Sequence, residues 1–383
     1  MLKPLYITLL LFYLASRVSA EKAFKLKFQD WNEDDDRIRV RSWYAEANSP
    51  IGHYLDIGIV GMIDTITGAT PTGAPPTQNR KDWLANLEEQ RQAGVLSFAY
   101  SIDDYLLSSE FGVSDESDYL SKSYAINASK GFAENTLTLS TGFSYLYDDV
   151  DSNVPGGPGL GILTRETPEF FIGLHRIIDP KTTFSFNLTY GIPQGYLSDP
   201  YKQVGRTEPV FPGSTREELY LYPENRPNKR KTLVAYLEGI RYFEKIDASL
   251  EASYRYFTDD SDLSGHTMEF KWFKRLGDYL ILRQLLRYYN QNAADFYRIT
   301  LDGSGIEPVP QPDGFGPHYY SSDYRISKLE SLTLGIKLTV LINDNLSIDL
   351  SYDRYEMNGL DGQTSQLVYP SANILTVGMQ SLF

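Results

Sequence analysis

In residues 136–147 the apolar side chains Leu137, Leu139, Phe143, Tyr145 and Tyr147 share one parity, while Thr136, Thr138, Ser140, Gly142 and Ser144 share the other. A β-strand sends successive side chains to opposite faces, so this segment has one greasy face and one wet face. The split recurs with Phe184, Phe186, Leu188 and Tyr190 against Thr183, Ser185, Asn187 and Thr189. It recurs again in 331–340 and in 346–353, where Leu346, Ile348, Leu350 and Tyr352 oppose Ser347, Asp349, Ser351 and Asp353. A chain written this way must lay its strands between water and something apolar.

About sixteen such segments can be counted. They fall at 23–29, 38–46, 54–65, 90–102, 105–114, 119–130, 135–147, 167–178, 181–190, 231–243, 247–257, 265–275, 279–290, 324–341, 346–356 and 371–383. Most run about 10 to 13 residues, longer than strands of soluble sheets and near the length that crosses a bilayer at a tilt. The least regular is 231–243, with Glu238 on one face and Gly239 and Arg241 on the other. Connections alternate between tight turns (49–52, 103–104, 131–134, 179–180, 244–246, 275–278, 342–345) and longer loops. The long loops cover 67–89, 148–165, 191–230, 291–323 and 357–370, with short acidic ones at 32–36, 115–118 and 258–264. An unstructured loop of about 39 residues counts against a compact soluble domain. Short turns at one rim and long loops at the other are the plan of outer-membrane barrels, and walking the chain back from a periplasmic end puts every tight turn on the periplasmic side. The expected fold is therefore all-β: a transmembrane antiparallel β-barrel of about sixteen strands with short periplasmic turns and long extracellular loops.

Composition removes competing readings. The absence of Cys excludes disulfides, thiolate metal sites, a Cys nucleophile and a lipidated Cys. A net charge of −14, from 36 basic and 50 acidic residues, gives no drive toward nucleic acid. Residues 1–20 have Lys3, an apolar core from Leu5 to Ala15 and the small-residue end Val18-Ser19-Ala20. This pattern predicts a cleaved secretory signal peptide, leaving 21–383 as a single barrel domain in the bacterial outer membrane. An anchoring helix is the weaker alternative, because the apolar core is about 11 residues against the roughly 20 of a span. Phe383 shares a face with Met379, Val377 and Leu375, which resembles the signal read by the barrel assembly machinery; Ser381 departs from it at the third position from the end. The expected partners are that machinery and outer-membrane lipid.

Several stretches resemble the family catalogued as domain of unknown function 3570. They are Asp36-Arg37-Ile38-Arg39-Val40, the Ser49-Pro50-Ile51-Gly52 turn, the run from Val60 to Pro71 ending Asp64-Thr65-Ile66-Thr67-Gly68-Ala69-Thr70-Pro71, and Ser117-Asp118-Tyr119-Leu120-Ser121. The resemblance spans nearly the whole mature chain. It implies an outer-membrane β-barrel of undefined function, and it brings no catalytic residues.

Alternation predicts a lumen carrying Lys25, Lys27, Arg39, Arg41, Arg91, Arg255, Lys271, Arg275, Arg283, Arg287 and Lys337, with Asp56, Asp64, Glu110, Glu251, Glu269, Asp349 and Asp353. The pore-lining set of interest is Arg39, Arg41, Arg91, Glu110, Arg255, Glu269, Lys271, Arg283, Arg287, Lys337, Asp349 and Asp353. Its modest cationic excess points to a constriction favouring anionic solutes. The alternative is a network of ion pairs that solvates and stiffens the wall.

His53, His175, His266 and His318 lie in separate elements without a metal-ligand spacing, so neither an enzyme nor a cofactor is expected. Asp149-x-Asp151-x-Asn153 echoes the start of a calcium loop, but the Gly is missing and Leu160 stands where the distal Glu belongs. Tyr145 and Tyr147, Tyr254 and Tyr256, and Tyr288 and Tyr289 suit interfacial girdles. The Gly- and Pro-rich stretches 155–161 and 308–317 are read either as a plug or as surface. The functional expectation is a passive, porin-like diffusion channel for small solutes. The alternative is a non-conducting barrel that scaffolds an envelope complex through its long loops, chiefly 191–230.

Overall fold

The computed structural model describes residues 22–79, 82–310, 312–314, 316 and 318–383; the expected signal peptide lies outside these residues. Sixteen long strands follow one another as β1 Ala23–Glu33, β2 Ile38–Ile51, β3 Leu55–Pro71, β4 Leu84–Ile102, β5 Tyr105–Asp115, β6 Tyr119–Phe132, β7 Leu137–Asp151 and β8 Ile162–Asp179. They continue as β9 Thr182–Gly191, β10 Thr232–Phe243, β11 Ala248–Asp259, β12 Ser264–Leu276, β13 Leu280–Gln291, β14 Leu329–Asn343, β15 Leu346–Gly359 and β16 Ser371–Leu382. Each is antiparallel to its sequence neighbours, and β1 pairs with β16 from Ala23↔Leu382 to Glu33↔Ala372, so the sheet closes on itself. Closure leaves no edge, the one way a β-structure satisfies its backbone inside lipid.

Every expected segment is a strand, and most are longer than alternation showed. β4 has 19 residues and β8 has 18, because the ladders continue past the hydrocarbon, where the outer face no longer has to be apolar. In the segment expected at 324–341 the first residues are a 3₁₀ turn, Tyr324–Ile326, and the strand begins only at Leu329. Short turns need left-handed backbone: Gly52 has φ +69°, Asp103 +49°, Asp247 +46°, and Ala133, Glu134 and Asn135 are all positive. A close approach fixes another glycine. A side chain on Gly68 would run into the Arg37 carbonyl oxygen.

Register separates the faces without ambiguity. Trp43↔Ile63, Ile59↔Leu96, Leu96↔Phe111 and Phe143↔Phe170 are paired on the outside, where Trp43 and Ile59 are 59% and 57% exposed. Such exposure of large apolar groups around the whole wall marks a lipid-facing belt. Ser42↔Asp64, Asp64↔Arg91, Ser144↔Glu169 and Glu269↔Arg287 are paired on the inside. Tyr145, Tyr147, Tyr254, Tyr256 and Tyr288 lie on the outer face as girdle residues should, whereas Tyr289 turns inward and donates to Gln291.

The long loops fold into a cap over the extracellular mouth. Residues 192–231 contain a hairpin, Gln203–Pro209 paired with Glu217–Pro223, and this loop is bridged to residues 292–328 at Gly205↔Thr300 and Asn225↔Tyr320. Val204, Leu301 and Tyr320 form a fully buried core between the two loops. A second cluster, Ala74, Trp83, Leu84, Leu329, Val368 and Tyr369, fastens the loops after β3 and β15 to the rim.

Candidate functional site

Two chemical regions stand out: the inner wall and the underside of the cap. On the wall, opposite charges meet repeatedly, across strands and along them, although Arg283 and Lys337 stand directly opposite each other. Lys25 meets Glu46 at 3.0 Å, Lys271 meets Glu251 at 2.6 Å and Glu269 at 2.9 Å, and Arg283 meets Asp353 at 3.3 Å. Lys337 reaches Asp349 at 3.2 Å, Arg165 reaches Asp148 at 2.7 Å, Arg287 lies 3.8 Å from Glu269, and Arg91 grips the buried Asp64. Arg255 makes no ion pair among the described residues; its guanidinium lies 5.6 Å from the Phe257 ring centroid. Glu110 stands on the inner face opposite Ser97 and Ala125.

Of the pore-lining set, Arg91, Glu110, Arg255, Glu269, Lys271, Arg283, Arg287, Lys337, Asp349 and Asp353 share the inner face. Arg39 and Arg41 do not, and their assignment to the lumen is corrected. Arg41 is paired with Asp30 and Arg39 with Asn32 on the same face as Trp43, and Arg39 forms a bidentate bond to Asp30 at 2.8 and 2.5 Å. The physical reason is height on the wall. At the top of β2 the outer face has left the hydrocarbon for the headgroup zone, where a guanidinium is at home, so the polar-in rule no longer applies.

The inferred cationic excess is also reversed. Glu46, Glu89, Asp148, Glu169 and Glu238 join the inner face, and two Arg leave it, so acids there outnumber bases. Alternation missed Glu89 and Asp148 because their segments were cut one residue short, Glu46 because placing Arg39 and Arg41 inward turned it outward, and Glu238 because its segment read as irregular; Glu169 lay within a segment and was passed over. The ion-pair reading of the wall is the one that the contacts match.

The cap is held by a compact set of buried charges that sequence reasoning did not single out. Arg226 donates from Nη2 to Glu224 (3.0 Å) and Asp323 (2.7 Å), with its Nε in ion-pair contact with Glu224 Oε1 at 2.7 Å, and these two carboxylates are each 1% exposed. Arg325 donates to both Asp323 oxygens at 2.8 Å and to Asp199 at 2.6 Å. The Glu224 carboxylate also accepts from the Asp199 amide at 2.6 Å and from the Ser321 hydroxyl. Burial alone would raise the Asp199 and Asp323 carboxyls. Arg325, helped by Lys202 at Asp199 and by Arg226 at Asp323, instead holds both well below the usual carboxylate range. At Glu224 burial prevails over Arg226 and pushes the carboxyl up. The only local signal was a pair of acid-x-Arg triplets, Glu224-Asn225-Arg226 and Asp323-Tyr324-Arg325, far apart in two long loops.

The cap spans the mouth. Lys202 donates to the Pro71 carbonyl oxygen and, at 3.4 Å, to Thr70, while the Gln203 amide donates to Thr72 at 2.7 Å. Those residues close β3, and the loop itself comes from β9 and β10, nearly opposite in the ring of sixteen. Tyr201 donates to Asp118 at 2.8 Å on the β5–β6 rim, and Arg37 donates to the Val368 carbonyl at 2.9 Å. Three of the stretches that carry the family resemblance thus hold the cap: Gly68 to Pro71, Asp118-Tyr119 and Arg37. A cavity of about 290 Å³ under the cap is lined by Tyr119, Arg165, Asp199, Tyr201, Arg226 and Arg325, among others.

The remaining candidates stay dispersed. His175 meets Ser185 at 3.0 Å, His266 meets Tyr254 at 2.7 Å on the outer face, and the His318 carbonyl accepts from Asn225. Asp151 is occupied by the amide and side chain of Asn153, an Asx turn rather than a cation loop. Glu89, Glu116 and Asp118 converge with ligand atoms within 4.8 Å of one another, and each is engaged by its surroundings. Phe383 donates its amide to Lys22 at 2.8 Å beside the closing seam, with its ring exposed.

The profile of the family described as protein of unknown function (DUF3570) matches residues 12–157 and 162–379. No curated protein matches the sequence. Among solved structures, a bacterial polysaccharide outer membrane secretin superposes with TM-score 0.50 at 8% identity, covering 96% of this chain and 99% of that one. The CymD monoaromatic hydrocarbon channel gives 0.44 at 9%, covering 96% and 89%. A ferric enterobactin receptor (PfeA) mutant from Pseudomonas aeruginosa gives 0.43 at 10%, covering 88% of this chain and 54% of that one, so this chain spans about half the receptor's length. The likeness is one of fold: an outer-membrane β-barrel.

Proposed function

The chain belongs to the DUF3570 family, and on that footing we propose that it is a water-lined channel of the bacterial outer membrane, porin-like in conduction, whose extracellular mouth is governed by the folded cap. One observation carries the reading: the inner face is polar, with ion pairs on β1–β4, β7–β8 and β11–β15. Barrels of sixteen to eighteen strands leave an aqueous channel, and such a wall needs water to solvate it. Solutes would be small and hydrophilic. Because most inner cations are already paired with carboxylates and the acids are in excess, the wall supports little preference for anions.

A second reading, a non-conducting barrel that presents its cap to an envelope partner, is favoured by the way the cap crosses the mouth. Purified, heat-modifiable protein in planar bilayers separates the two. A channel gives discrete conductance steps whose reversal potential in a KCl gradient lies near zero or on the cation side, and whose open time grows when the cap is loosened. Silence from folded protein, with or without an intact cap, would retire the channel and leave the scaffold.

A further inference from the structure

The hairpin in the cap has one covered edge and one open edge. The Val210 amide donates to the Arg216 carbonyl at 3.0 Å, which sets the phase of the ladder. Glu208/Glu218, Arg206/Tyr220 and Val204/Tyr222 are then the hydrogen-bonded pairs, and the intervening residues turn their backbone groups outward. On the first strand Gln203, Gly205 and Thr207 each use an outward group. Gln203 donates to Thr72 at 2.7 Å, Gly205 accepts from Leu301 at 2.9 Å, and Thr207 donates to Asp302 at 2.7 Å. On the second strand the outward groups belong to Glu217, Leu219 and Leu221, and none has a hydrogen-bond partner among the described residues.

The side chains are open as well. Leu219 is 48% exposed, Tyr220 37% and Leu221 36%, with Phe211 at the tip 64% exposed. These residues lie above the extracellular rim, outside the hydrocarbon, so lipid does not explain them. A free, β-prone edge in water is a template for a further strand, and natural edges are normally blunted by Lys, inward charge or a bulge. Here the stretch Leu219-Tyr220-Leu221-Tyr222 carries none of these devices, and Pro223 only ends it.

We propose that a second copy of this chain adds to this edge, antiparallel, with a two-fold axis at Tyr220. In that register Leu219 faces the partner's Leu221, Tyr220 faces the partner's Tyr220, Glu218 faces the partner's Tyr222, and Glu217 faces the partner's Pro223. The outward-turned groups then exchange roughly six backbone hydrogen bonds, four from the Leu219/Leu221 pairs and two from the Glu217 amides to the Pro223 carbonyls. No carboxylate meets a carboxylate, and the missing Pro223 N–H falls at the end of the ladder. The edge is thus compatible with its own copy across this two-fold, apolar and aromatic residues facing one another and no like charges opposed. An edge of this length buries less than the ~800 Å² per partner of a standard interface, so the dimer belongs to crowded membranes rather than dilute detergent.

The chain has no Cys, so Tyr220→Cys supplies its only thiol. A non-hydrogen-bonded antiparallel pair sets the two Cα atoms about 4.5 Å apart, within disulfide reach. In proteoliposomes under mild oxidant, Tyr220→Cys is expected to give at least fivefold more covalent dimer than Ser214→Cys, which is half-exposed at the tip of the same hairpin and off the edge. Adding Leu221→Pro removes an outward N–H without touching the hairpin's own bonds and should return the yield to the Ser214→Cys level. Heat-modifiable migration of every variant verifies folding. Equal yields at the two positions, or a dimer indifferent to Leu221→Pro, would overturn the proposal. So would outer-membrane vesicles in which Tyr220→Cys links chiefly to a protein of different mass.

Discussion

Replacing Arg226 with Ala takes away the one side chain that bonds both Glu224 and Asp323, two carboxylates that are each 1% exposed. Asp323 keeps Arg325, and Glu224 keeps the Ser321 hydroxyl and the Asp199 amide, but among the described residues its one ion-pair partner is gone. Removing one partner from a buried ionic set costs about 3 to 5 kcal/mol, because the orphaned charge stays desolvated. At about 1.4 kcal/mol per factor of ten, the ratio of undocked to docked cap should rise roughly a hundred- to a few thousand-fold. The barrel wall does not contain this network, so heat-modifiability should be unchanged. Two assays read the cap: protease nicking within 192–231 on intact vesicles, and open time in planar bilayers; both should increase. Arg354→Ala is the matched control, since its pair with Asp34 is 31% and 40% exposed on the outer rim and should cost less than about 1 kcal/mol. Protection and conductance unchanged by Arg226→Ala would refute the idea that these charges hold the mouth shut. An Arg354→Ala effect of equal size would show that any rim ion pair suffices.

Lys271→Glu or Arg283→Ala, both on the inner wall, should move the reversal potential toward cations, whereas Arg41→Ala on the outer face should leave it within error. Equal shifts would mean that the face assignment of β2 is wrong. The cap should also keep its protease protection from about pH 8 to about pH 5. Asp199 and Asp323 are depressed, so their stabilisation is present above the unfolded carboxylate range and is lost only as pH falls through their lowered values. Glu224 is raised, so its contribution is fully present below its unfolded value and is lost as pH rises through the folded one, which makes mild acid no threat. Loss of protection near pH 6 would contradict both signs. Finally, Phe383→Ala should lower the amount of assembled barrel in cells several-fold while sparing its heat-modifiability, because the ring is exposed beside the β1–β16 seam and contributes little packing. A normal yield would remove Phe383 as an assembly contact.

The pattern of residues determined by itself that this chain is a β-barrel, roughly how many strands it has, and which side of β7, β9, β14 and β15 meets lipid. The reason is local: within the hydrocarbon band each strand must be apolar on alternate residues, so the face can be read from the strand alone. The same rule misplaced Arg39 and Arg41, which stand above that band, and passed over Glu46 and Asp148, whose partners Lys25 and Arg165 lie on neighbouring strands. The cap was beyond reach of any local pattern. Glu224 and Arg226 meet Asp323 and Arg325 across about a hundred residues, and Lys202 crosses the mouth to Pro71. Which loop charges become buried, and therefore strong, depends on desolvation by segments distant in sequence, and only the tertiary structure decides that. The barrel is written strand by strand, while the state of its mouth is a property of five loops packed together.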